Sequence, residues 1–238
     1  MSRKVPPREQ PADAASPDLV GGPQPIALPK PAVGRDKSVF VALQNRKTIR
    51  SIGAKPLSLQ MLSNLLWSAC GVNRKKGPFG GPGITAASAS NSQEIDLYVA
   101  LREGVYRYDA AAHGLIPVVA EDLRAMAIGQ GQEKAGAKAP VRLIYVVDRE
   151  KFRKAGFQEP GLWDLEIQKS YYFVDTGLIA GNVYLFAASQ GLATWFHNCS
   201  KAELATRLGL RKDQRVLFGQ TVGYPAKGWN GSPVIPKR

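Results

Sequence analysis

The run VRLIYVVD at residues 141–148 constrains the fold more than any other stretch of the chain. Its apolar, largely β-branched residues are nearly continuous, the pattern of a strand buried on both faces, and it sets the centre of a sheet. From Ile95 the period is two: Ile95, Leu97, Val99 and Leu101 alternate with Asp96, Tyr98 and Ala100, and Glu103-Gly104 turns the chain into VYRYD, which predicts a hairpin. LATWF and RVLFGQTVGYP read as two more strands, separated by a helix whose start, SKAE, carries a capping box of Ser200 and Glu203.

Helical spacing accounts for much of the remainder. Asp36 or Ser38 caps a helix carrying Val39, Phe40 and Leu43, and Leu62, Leu65, Leu66 and Ala69 line one face of a second helix from Ser58 to Ala69, closed by Gly71. A short helix is expected near Glu121 to Ala127, and the longest apolar one from about Ser170 to Gln190, ended by Gly191. Helices and strands interleave without strict alternation, so the class is α+β. Residues 1–35, rich in Pro, Gly, Ala and charge and lacking either period, read as a disordered or wrapping arm ahead of one domain at 36–238. The glycine-, proline- and serine-rich stretch from Gly71 to Asn91 is too long for a simple connector and is expected to be functional.

Composition removes several kinds of chemistry. Two cysteines (Cys70, Cys199) and two histidines (His113, His197) supply neither a disulfide framework nor a standard zinc site, so no metal is expected. No G-x-S-x-G elbow or Walker sequence occurs, and GQGQEK and GGPG fail the dinucleotide pattern, which leaves no side chain in the role of a catalytic nucleophile. No stretch of about 18 apolar residues predicts a membrane span. The opening MSRKVPPREQ leads into no apolar signal core, so the chain as written reads as cytoplasmic; a leader removed from the native product would place it in the periplasm instead. The excess of 32 basic over 19 acidic residues, +13 in all, favours phosphates, nucleic acid or anionic lipid without choosing among them.

One basic cluster stands out. RKTIR, residues 46–50, follows the first helix directly; if it is extended, Arg46, Thr48 and Arg50 point the same way, two guanidinium forks and a hydroxyl that suit a phosphate. An ordinary solvated basic corner at a helix C-terminus explains the same residues.

The order of RKTIR, SASNSQ, YYFVDTGLIAGNVYLFAASQ and GLATWFHN resembles the nitroreductase family of FMN enzymes, from about Ser38 to Pro225. LLWSACGVN, IDLYVALREGVYRYD and VLFGQTVGYP are similar to its compact branch related to thiazoline and oxazoline dehydrogenases. The resemblance implies a three-layer fold, a central, mostly antiparallel sheet flanked by helices, and a homodimer with two FMN sites at its interface. It implies that Arg46, Thr48 and Arg50, with Lys47, hold the phosphate and ribityl chain. Ser88, Ala89, Ser90 and Asn91 would cover the flavin from the other subunit, while Phe196, His197, Asn198 and Cys199 present backbone N–H groups to its reactive edge. Gln132 or Lys134 would reach the ring or ribityl oxygens, and Lys237 in the terminal IPKR would fold back onto the phosphate. His197 is also a candidate proton donor, and Phe152, Phe157 and Trp163 candidate lid residues. Many relatives have Pro-Trp where this chain has Glu94 and Ile95, and Glu where Asn198 stands.

The implied activity is transfer of electrons from NAD(P)H to a small flat acceptor such as a quinone or nitroaromatic. A flavin-dependent dehydrogenase of azoline-type or other heterocycles is the alternative within enzymes. A basic phosphate- or nucleic-acid-binding protein without catalysis is the alternative of another class, although nucleic acid and membrane are not the expected partners.

Overall fold

A computed structural model describes residues 22–32, 38–129, 131–132, 137–157 and 159–228. In chain order the elements are β1 (Ile26–Ala27), α1 (Val39–Asn45), α2 (Leu59–Cys70), β2 (Val72–Arg74), β3 (Gly83–Ile84), β4 (Ile95–Ala100), β5 (Val105–Asp109), β6 (Gly114–Val119), β7 (Val141–Asp148), α3 (Glu150–Arg153), α4 (Leu165–Gln190), β8 (Ala193–His197), α5 (Lys201–Arg207) and β9 (Gln214–Gly223). Seven strands form one sheet in the order β1-β6-β5-β4-β7-β9-β8, with every pairing antiparallel.

The VRLIYVVD run is β7, buried at all eight positions between β4 and β9. Successive side chains of a strand point to opposite faces, and here each face has its own cover. Leu143 and Tyr145 pack with Leu65, Leu66, Val183 and Ala187 of α2 and α4. Ile144 and Val146 pack with Leu123, Leu204 and Leu208, from the 123–128 turn and the region of α5. The result is the three-layer α+β arrangement expected of the sequence. Being covered on both faces, β4 is buried at every position in spite of its alternating sequence.

Three local expectations are corrected, and one strand that the sequence did not announce is added. No helix forms at 121–127: Met126 and Ala127 both donate to the Leu123 carbonyl, a single turn that does not continue. The long helix begins at Leu165, five residues before the apolar pattern, because Asp164 caps it by accepting from Glu166 N and Ile167 N. Ser200 makes no side-chain cap; its own N–H is taken by the Met126 carbonyl at 3.0 Å. β6 was hidden by Gly114 at its first position and by Pro117, which lacks a ladder donor.

The described part of the N-terminal arm lies on the domain. Ile26 and Ala27 pair with Leu115 and Gly114, Leu28 is buried, and Gln60 Nε2 donates to the Lys30 carbonyl at 2.9 Å. Burying a leucine contributes about 2 kcal/mol, enough to offset ordering a residue or two of backbone.

Candidate functional site

Ser38 starts α1 by accepting from Val41 N at 3.3 Å, and the helix stops at Arg46, whose backbone (φ −61°, ψ 121°) is extended. The next residues run beside β8: Ile49 N donates to the Thr194 carbonyl at 3.0 Å, and Ile49 and Ile52 are buried with Ala139 and Ala193. With Ile49 turned inward, Thr48 and Arg50 face the other way, both half-buried.

Each guanidinium rests on an aromatic ring. Arg46 Cζ lies 5.7 Å from the centre of the Tyr184 ring and Arg50 Cζ 5.2 Å from that of Trp195, within range of a cation–π attraction. Among the described residues, neither arginine forms a salt bridge. Lys47 is exposed beside them.

Tyr184, on α4, joins this segment to the β8 edge. Its hydroxyl lies 3.1 Å from Thr48 Oγ1 and accepts from Phe196 N at 3.0 Å. The Phe196 amide, expected at a flavin edge, is therefore committed to Tyr184. The Phe196 ring packs on Phe218, and Lys201 Nζ stands 4.9 Å from the centre of that Phe218 ring. Sequence reading missed both Tyr184 and Lys201. A helical tyrosine reads as core, but a lysine opening a helix opposes the helix dipole and is a signal that could have been used.

The histidine and cysteine of the turn after β8 face inward. His197 donates through Nδ1 to the Asn198 carbonyl (2.8 Å) and accepts at Nε2 from Thr221 Oγ1 (2.8 Å), taking the N–H as the partner of the carbonyl. Burial lowers its pKa to about 4, so the ring is neutral at pH 7 and its side chain serves the sheet. Burial pushes the Cys199 thiol up to about 11, where it is inert. Asn198 is exposed. Gln132 comes close to this turn: Gly129 lies between them, and a Cβ there would sit 3.0 Å from Gln132 Oε1 and 3.4 Å from the Asn198 carbonyl oxygen.

The Ser88–Asn91 loop stands apart. Ala89 N donates to Asp175 Oδ2 at 3.1 Å, and Asp175 precedes Tyr184 by nine residues, about 14 Å along a helix. Residues 46–50, 132 and 196–199 thus gather at one place in the chain, and residues 88–91 at another. Lys134 and Lys237 lie outside the described residues. Of the aromatic lid candidates, Phe152 is buried in the core, Phe157 stacks on Phe79 with ring centres 5.1 Å apart, and Trp163 is exposed. A cavity of about 470 Å³ is lined by Phe79, Asn91, Gln93, Arg107 and Lys151 among others, and includes none of residues 46–50. Arg46 is exposed and Arg50 half-buried.

The nitroreductase family model matches residues 43–224, from just ahead of the 46–50 segment to just past β9. The chain belongs to the nitroreductase family. Membership makes this nitroreductase-family chain a flavin oxidoreductase. A crystal structure provisionally described as a nitroreductase, from Ralstonia eutropha, is 31% identical and superposes with a TM-score of 0.75, covering 89% of this chain and 94% of that one. Two more distant structures share the fold. The E. coli microcin synthetase complex McbBCD is 18% identical with a TM-score of 0.60, covering 88% of this chain and 78% of that one. The NADPH:FMN oxidoreductase of Vibrio harveyi complexed with NAD+ is 20% identical with a TM-score of 0.56, covering 83% and 73%. No helix among the described residues is long and apolar enough to cross a membrane.

The Tyr184 bridge can be tested directly. Tyr184→Phe leaves the Phe196 N–H without its partner, which costs about 1–3 kcal/mol when the donor is shielded from water. A domain of this size then melts roughly 2–10 °C lower. An unchanged melting temperature by differential scanning calorimetry would show that the bridge contributes nothing.

Proposed function

We propose that the protein binds FMN at the Arg46–Arg50 segment and passes electrons from NAD(P)H to flat organic acceptors such as quinones or nitroaromatics. The observation that carries this reading is the pair of guanidinium groups, Arg46 and Arg50, held on Tyr184 and Trp195 with Thr48 between them and without a salt-bridge partner among the described residues. A phosphomonoester fits such a set: the forks match its oxygens and neutralise its charge, and the threonine hydroxyl adds a hydrogen bond. The bound flavin would supply the redox chemistry itself. Lys47, Gln132 and the turn at 196–199 would complete the contacts made by one chain, and Lys237 is kept as a candidate.

A second copy would supply Ser88–Asn91 as cover, which accords with the distance between that loop and the clamp within one chain. It also accounts for an apolar surface: Val39, Phe40, Val41 and Leu43 on α1, and Val174 and Leu178 on α4, are exposed. Gly177 and Gly181 lie on the same helix with open space where a Cβ would be. The nicotinamide donor is supported by the fold shared with the NADPH:FMN oxidoreductase of Vibrio harveyi, whose structure is a complex with NAD+.

Purified protein is expected to be yellow after dialysis, and mixing it with NADH or NADPH in a stopped-flow instrument should remove the flavin absorbance. Added quinone should restore it, with ping-pong kinetics because donor and acceptor use one site in turn. Colourless protein that takes up no FMN would remove the enzyme reading in favour of a phosphate binder. The fold match to the microcin synthetase complex favours one other reading, a dehydrogenase of azoline-type heterocycles. That reading takes over if flavin is bound and neither nicotinamide reduces it.

A further inference from the structure

At the base of the Ser88–Gln93 loop two carboxyl groups are buried, near enough for the charge of Asp175 to act on Glu94. Glu94 is fully buried and Asp175, on α4, nearly so. Glu94 Oε2 accepts from Ser92 Oγ at 2.7 Å, Asp175 Oδ2 accepts from Ala89 N at 3.1 Å, and Glu94 Oε1 is buried without a hydrogen-bond partner. The two acids therefore hold opposite ends of one loop.

That loop needs holding. Ser90, Asn91 and Gln93 have left-handed backbones (φ 50°, 52° and 49°), which side chains other than glycine adopt only where the surroundings impose it. Besides the two carboxyl contacts, Gln93 N donates to Ser88 Oγ at 3.1 Å and Lys151 Nζ to the Gln93 carbonyl at 3.0 Å.

We propose that Glu94 and Asp175 share one proton, and that this protonated pair is a latch that fixes the Ser88–Gln93 loop and releases it as the pH rises. Two ionised carboxylates cannot be buried side by side without a compensating cation, and the nearby charges are engaged elsewhere. Lys151 on α3 is bonded to Asp96, Asp148 at the end of β7 to Arg211, and the Tyr171 phenol, one turn before Asp175, to Glu159. None of the salt bridges among the described residues reaches Glu94 or Asp175. Burial, and then the charge of Asp175, raise Glu94 from 4.5 to about 8. Burial raises Asp175 as well, opposed by the Ala89 N–H.

The direction follows from proton linkage. The closed loop keeps a proton that the open loop releases at the ordinary carboxylate value, so closure is fully favoured below that value and weakens as pH climbs toward the raised one. With one proton involved, the opening equilibrium changes by about tenfold per pH unit over that interval and levels above it. The released proton passes to solvent and leaves two carboxylates that repel. Where this loop covers a flavin, which rests on the function proposed above, cofactor retention would weaken over the same interval.

Hydrogen exchange of the 88–93 amides in the full-length protein, between pH 5.5 and 8.5, tests the latch without reference to turnover. After correction for intrinsic base catalysis, protection should fall about tenfold per pH unit and flatten near the top of the range. In Glu94→Gln, whose amide can accept from Ser92 and carry toward Asp175 the N–H that stands in for the proposed proton, protection should be high and independent of pH. Asp175→Asn should behave alike and serves if the first variant does not fold. Infrared spectra of the wild type should show the carbonyl stretch of a buried protonated acid at pH 7, absent from Glu94→Gln. The same pH slope in wild type and variants, or no protonated-acid band at pH 7, overturns the proposal. Colourless protein that keeps the pH slope would leave the latch standing and remove only the flavin reading.

Discussion

Replacing Arg46 and Arg50 together with alanine is expected to strip the protein of FMN while leaving its fold intact. Each charge-assisted hydrogen bond to a phosphate is worth about 1.5–3 kcal/mol, so losing one from each arginine weakens binding by roughly a hundredfold or more. The fold should survive because Ile49 and Ile52, not the arginines, bury the segment, and Ile49 N makes the bond to β8. What the chain itself loses is two cation–π contacts of about 0.5–1 kcal/mol each at exposed sites. Flavin absorbance per mole of protein after dialysis, read beside the thermal melt, checks both halves of the expectation. A double variant that retains its flavin refutes the phosphate assignment. Substitution of both by lysine keeps the charge without the fork and should fall between.

Leucine at both Gly177 and Gly181 should convert the proposed flavin-bound dimer into a flavin-free monomer. Within one chain nothing lies within 4 Å of a Cβ at either position, and a side chain in place of glycine favours the helix by up to about 1 kcal/mol per site. An isolated protomer should therefore melt no lower than before. A partner backbone packed on this smooth strip would instead meet two bulky side chains, and overpacking of that kind costs about 1–3 kcal/mol or more per site. Separation of the subunits would also remove the Ser88–Asn91 cover from each clamp. Sedimentation velocity and the flavin spectrum should change together. Dimers that persist with bound flavin would place the interface elsewhere on the molecule.

The layout of the domain was legible where one period dominates. The run at 141–148 marked the sheet centre because a strand covered on both faces has no polar side to interrupt it, and Ile95–Asp109 marked its hairpin. For RKTIR the sequence left an extended segment and a solvated helix end both open, and the structure shows α1 ending at an extended Arg46. Features that depend on meeting a remote residue were not legible. Tyr184 is an unremarked member of an apolar helix until Thr48 and Phe196 come to its hydroxyl. Glu94 registered only as a departure from the relatives' Pro-Trp; its pairing with Asp175, far along the chain, arises from the packing of α4. The start of α4 was hidden because a capped, charged first turn carries no apolar stripe, and β6 because Pro117 breaks the pattern of a strand.

The long strands nearest the two sides of the sheet, β6 and β8, are covered in different ways. β1 lies along part of β6, and the segment after α1 closes β8 through Ile49 N and, by way of Tyr184, the Phe196 amide. An uncovered strand edge is a template on which other chains can add and aggregate. The segment proposed to hold the phosphate is thus also an aggregation guard. Changes that lift its backbone, such as a charged residue in place of Ile49, endanger solubility before they reach cofactor binding, whereas changes to the arginine side chains leave the guard in place.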